Sequence, residues 1–143
     1  MYHHLAIVLL AHAAIAAPVC AIETYECRDR DGAVTVEYDY QYDAEPPFLR
    51  VQMQLTDDFG LSTDPAHEDH DGEYIAATYE DNAFRGVDVE WKDENGGRHN
   101  AMRLRLVSVS EGAHYLQTGG LSVGGGGIWT VTCAGKDGTD AAW

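Results

Sequence analysis

The stretch DPAHEDHDGEY sets His67, Glu68, Asp69, His70 and Asp71 in a row. Two imidazoles three residues apart, with carboxylates around them, form a donor set that zinc or copper accepts. His67, His70 and Asp71 are therefore the candidate ligands of a periplasmic metal-binding protein. The spacing is not His-Glu-x-x-His, and so charged a segment reads more readily as a solvated loop, with both histidines exposed and unligated. DRDG and DHDG have the look of calcium loops but lack the first acidic ligand and the bidentate glutamate at position twelve, so they read as turns. GLSVG fits G-x-S-x-G around Ser122, a motif that requires a strand, a sharp turn and a helix in a large α/β sheet. Here glycines and a strand-like run follow instead. No paired carboxylates, catalytic cysteine or phosphate-cradling loop stands out. The expectation is a protein that binds, not an enzyme, and one without a cofactor.

The three cysteines carry a different chemistry. Residues 5–17, LAIVLLAHAAIAA, have the length of the apolar core of a secretory signal and fall short of a bilayer span. Val19-Cys20-Ala21 supplies small residues for cleavage before Ile22, giving a signal peptide over residues 1–21. Ala14-Ile15-Ala16 also fits and would leave Cys20 in the mature chain. The first choice removes Cys20 and leaves an even pair, Cys27 and Cys133. In the oxidising periplasm or outside the cell these can form a structural disulfide that closes nearly the whole chain. On prediction, their Cα atoms lie about 4.4–6.8 Å apart.

The mature chain, residues 22–143, has the length of one domain with its own core. It carries 24 acidic and nine basic side chains, a net charge of −15. That balance argues against nucleic acid, whose phosphates demand cations, and against adhesion to anionic lipid. It suits a cationic protein partner drawn in by long-range attraction, and it also keeps an exported protein soluble. No membrane insertion is expected once the signal is cleaved.

The elements that must position any site are strands. AVTVEYDYQY alternates, with Val34, Val36, Tyr38, Tyr40 and Tyr42 on one face. FLRVQMQL puts Leu49, Val51, Met53 and Leu55 together. FRGVDVEW sets Val87, Val89 and Trp91 opposite Asp88 and Glu90. AMRLRLVSVS sets Met102, Leu104 and Leu106 opposite Arg103 and Arg105. With ETYEC, GEYIAATY, AHYLQTGGLSV and GIWTVTC, about eight strands are expected. Asp31-Gly32, Glu45-Pro46-Pro47, Asn95-Gly96-Gly97 and Gly124 to Gly127 mark the turns. The fold class is all-β: a small antiparallel barrel stapled by Cys27–Cys133, with AGKDGTDAAW as a short flexible tail.

TYEC running into an alternating strand, SVSEGAHYLQTGG, and a closing IWTVTC together resemble the bacterial inhibitors of c-type lysozyme (the MliC/PliC type) and the related adhesin complex protein. The resemblance implies an eight-stranded barrel in the periplasm or at the cell surface. It also implies a Ser-Gly-x-x-Tyr loop that enters the lysozyme active-site cleft. Ser110, Gly112 and Tyr115 match that loop, His114 is implied as a further residue of it, and Glu111 is inserted between the serine and the glycine. Trp129-Thr130 is similar to the family's later Trp-Thr, where Val131-Thr132 replaces the usual Lys-Gly. The implied partner is a cationic lysozyme. A surface adhesin or structural domain is the alternative, and for the loop alone so is an ordinary bend with Tyr115 packed in the core.

Overall fold

The computed structural model describes residues 21–56, 58–112 and 114–136. Nine strands follow one another: β1 (Ile22–Asp29), β2 (Val34–Gln41), β3 (Phe48–Leu55), β4 (Gly60–Ser62), β5 (Tyr74–Glu80), β6 (Phe84–Lys92), β7 (Arg98–Glu111), β8 (His114–Val123) and β9 (Gly127–Gly135). They form one antiparallel sheet in the order β4-β3-β2-β1-β9-β8-β7-β6-β5. The sheet curls so that β5 comes against β3 and the barrel nearly closes. The strand beyond the expected eight is β4. Its three residues pair with Gln52 to Gln54 of β3, and a run that short has no period to read. The expected signal, except for Ala21, lies outside the described residues, as does the tail from residue 137.

The core is what alternation dictates: a strand sends every second side chain inward. Val34, Val36, Tyr38 and Tyr40 of β2 are buried, as are Met102, Leu104 and Leu106 of β7. Bulges break the pattern elsewhere. Asp39 pairs with Arg50 but Tyr40 pairs with Phe48, so Leu49 is the extra residue on β3. Phe48 therefore takes the inward place expected of Leu49, which is 42% exposed. Trp91 also departs from its expected core face. It lies at the end of β6, stacked on His99 at 4.5 Å and partly exposed.

Cys27 and Cys133 form the expected disulfide. Their Cα atoms are 3.9 Å apart, closer than the expected range. The two residues are direct partners on neighbouring strands β1 and β9, so the bond spans a single inter-strand gap. Ala134, Gly135 and Lys136, expected in the tail, belong to the fold. Gly135 still pairs with Tyr25, the Lys136 amide donates to the Thr24 carbonyl at 2.8 Å, and the Lys136 ammonium reaches Glu37.

On the outer face of β2 and β3, Arg50 donates to Glu37 at 2.5 Å and to Asp39 at 2.8 Å. The Arg50 hydrogen bond holds the Asp39 carboxyl below its ordinary range. Burial acts upward on Glu37, but Lys136 and Arg50 outweigh it and hold Glu37 low as well. Depressed carboxylates stabilise the fold above their unfolded pKa, and that contribution is lost as pH falls through the lower folded values. The urea midpoint should therefore fall on acidification below about pH 4. In Arg50→Met the midpoint should start lower at neutral pH and fall less. Equal acid sensitivity in both proteins would remove Arg50 from the account.

Candidate functional site

β7 and β8 are longer than their neighbours, and their shared hairpin is the element that projects. Ser110 pairs with Tyr115 and Glu111 with His114, so the pairing runs to the tip of the hairpin. Gly112 has φ of 62°, a left-handed conformation that glycine adopts without penalty. The inserted Glu111 thus extends β7 by one pair and does not widen a loop. Val109, Ser110, Glu111 and Gly112 are all exposed. Val107 and Val109 are 48% and 55% exposed on the outward phase of β7, an apolar strip leading to the tip.

Ser110 and Tyr115 lie on the opposite, inward phase, above the barrel mouth. Tyr115 is partly buried against the core. Its hydroxyl donates to Ser108 Oγ at 3.0 Å and accepts from Gln117 Nε2 at 2.6 Å. Gln117 is fully buried, and its Oε1 accepts from the Tyr38 hydroxyl at 2.5 Å. A chain of hydrogen bonds thus runs from Tyr38 in the core through Gln117 and Tyr115 to Ser108 below the tip. Core packing of Tyr115, one of the two roles open from sequence, is what the structure shows for its ring. Ser110 and Gly112 stand clear of the core.

Under the hairpin the mouth holds a cavity of about 280 Å³. Tyr42, Asn82, Arg85, Ser108 and Tyr115 line it together with the exposed Glu80 and Asp81. Arg85 is the unexpected member. It is 6% exposed on the inward phase of β6, with its guanidinium 4.0 Å from the Tyr40 ring centroid and 4.9 Å from that of Tyr42. Its Nη2 donates to the Tyr42 hydroxyl, while its Nη1 is buried without a hydrogen-bond partner. The sequence held a signal for it: Arg85 has the same parity as Val87 and Val89 in FRGVDVEW, so an inward arginine was implied by the alternation itself. Burial holds the hydroxyls of Tyr25, Tyr38 and Tyr40 well above the ordinary tyrosine range. They are neutral phenols around the cation.

The other sequence candidates stay apart from this mouth. Trp129 pairs with Leu121, six residues along β8 from Tyr115, or about 20 Å at strand rise. Trp129 and Thr130 therefore do not join the hairpin tip. Ser122 lies within β8 and is followed by a glycine turn and β9, so the strand-to-helix elbow is missing. His67 and His70 are half-buried, contrary to the expected exposure. His67 Nε2 lies 2.8 Å from the Gln52 amide, and His70 Nδ1 is 2.7 Å from the Ser62 carbonyl, to which it donates. Each histidine fastens its loop to β3 or β4. Among the described residues, no three His, Cys, Asp or Glu side chains stand close enough together to hold a metal ion. Asp71 uses its backbone amide to donate to Glu73 at 2.6 Å.

Comparison with family models, curated proteins and solved structures returns no match for this chain.

Proposed function

We propose that this chain is an exported inhibitor of c-type lysozyme, presenting the β7–β8 hairpin to the enzyme's active-site cleft. The observation that supports the reading most is the hairpin itself. Its tip, Ser110 to Gly112, is exposed, small at two of three positions and carried beyond the mouth by two paired strands. A narrow tip can enter a cleft that bulky side chains cannot. The Ser110 hydroxyl can donate a hydrogen bond to a carboxylate there. Val107 and Val109 supply apolar contact beside the tip, and the hydrogen-bonded Tyr115 stiffens its base, which lowers the entropy lost on binding. The net charge of −15 draws in a cationic enzyme from a distance.

Two kinetic effects should separate in surface-binding measurements against a c-type lysozyme. Raising salt should slow association by screening the overall charge. Ser110→Ala with Tyr115→Ala should mainly speed dissociation, by about thirtyfold if the pair anchors the interface at about 2 kcal/mol. A thermal melt of the same variant reports how much of the change comes from a loosened hairpin base. Unchanged residence time would reduce the hairpin to an ordinary turn and favour the adhesin or structural reading.

A further inference from the structure

The barrel mouth has a chemical asymmetry separate from the hairpin tip: its inner groups are hydrogen-bond donors short of acceptors. Arg85 Nη1 is buried and unpartnered, and a buried donor without an acceptor costs free energy that a bound acceptor would recover. Tyr42 accepts from Arg85 through its oxygen and keeps its proton to donate. Ser108 accepts from Tyr115 and likewise keeps its proton. Glu80 and Asp81 also line the mouth, each with one carboxylate oxygen engaged: Glu80 Oε1 accepts from the Tyr40 hydroxyl, and Asp81 Oδ1 accepts from the amides of Ala83 and Phe84 at 2.9 Å. We propose that this mouth is a binding site for a small monocarboxylate, received by Arg85 together with the Tyr42 and Ser108 hydroxyls.

The ligand class follows from shape and charge. A guanidinium and a carboxylate are both planar and match in their hydrogen-bonding geometry. A cavity of about 280 Å³ lies just below the usual range for drug-sized ligands, so it suits a small one. Glu80 and Asp81 in the lining of the mouth, on a protein of net charge −15, disfavour a dianion such as phosphate more than a monoanion. The tyrosine rings around Arg85 give an apolar wall for the ligand's carbon end.

The test is a chemical-shift titration of the purified protein with sodium acetate, with sodium chloride and inorganic phosphate run at matched ionic strength. Acetate should give saturable shifts confined to Arg85, Asn82, Ser108, Tyr115 and the Tyr42 ring. Chloride should give none that saturate, and phosphate should bind more weakly than acetate. Ser108→Ala and Tyr42→Phe, both changes at accessible positions, should each weaken acetate by about fivefold, the value of one hydrogen bond. Arg85→Gln should abolish binding if that variant folds. The proposal is overturned by acetate shifts that never saturate, by identical affinity in Ser108→Ala and Tyr42→Phe, or by tighter binding of phosphate. None of these outcomes depends on whether the hairpin binds lysozyme.

Discussion

Replacing Cys27 and Cys133 together by alanine is expected to lower stability by about 4–5 kcal/mol, because the bond restrains almost the whole described chain. The two residues are 106 apart in sequence, and a loop of that order is worth about 4.7 kcal/mol in the chain-entropy picture. The bond does more than shorten the unfolded chain. It joins the first strand to the last at a directly paired position, so fraying of β1 from β9 cannot open the sheet at its centre. At roughly 4 °C per kcal/mol for a domain of this size, the melting temperature should drop by about 15–20 °C. Reductant should shift the parent by a similar amount and leave the double variant unmoved. A double variant melting with the parent would mean that the hydrogen bonds between β1 and β9 hold the barrel unaided.

The second large effect is expected at Gly119. A Cβ built there would lie 1.8 Å from the Arg105 carbonyl oxygen and 2.9 Å from the Leu106 Cα. The obstacle is backbone of the paired strand β7, which cannot rotate aside as a side chain could. Overpacking typically costs about 1–3 kcal/mol. With backbone as the obstacle, Gly119→Ala should cost about 3 kcal/mol or more, read as a lower urea midpoint. Gly120 is the internal control: a Cβ there meets nothing within 4 Å. Gly120→Ala should be neutral or should stabilise by about 0.4–1 kcal/mol through the unfolded chain. Equal effects at the two positions would mean that β8 moves freely against β7.

The barrel was legible because its strands obey a period of two over long runs. β2 and β7 place every inward residue where alternation assigns it, from Val34 to Tyr40 and from Met102 to Leu106. The disulfide followed from the cysteine count once Cys20 was assigned to the signal. What escaped was set by pairing partners and not by the local run. The bulge that turns Leu49 outward exists only because β2 offers Tyr40 to Phe48, and β4 is recognisable only against β3. The acidic His67–Asp71 segment looked solvated because charge alone was visible. Its packing depends on Gly60, where the Asp69 carboxylate fills the space a side chain would take. At the site, Ser110 and Gly112 are exposed at the hairpin tip. Tyr115 fulfils the packing role that the sequence also allowed. Arg85 was within reach of the same parity rule that found Val87 and Val89, but an arginine at an inward position reads as a surface residue until its tyrosine neighbours are known.

Whether this acidic barrel blocks a lysozyme with its hairpin is tested by turbidity clearing of a bacterial cell-wall suspension by a c-type lysozyme at low salt. With the purified protein added in increasing amounts, clearing should fall toward zero near equimolar addition. Clearing should recover in part when salt is raised, and inhibition should be lost with Ser110→Ala and Tyr115→Ala. Undiminished clearing in the presence of a large excess of the folded, disulfide-bonded protein at low salt would mean that the hairpin does not block the enzyme.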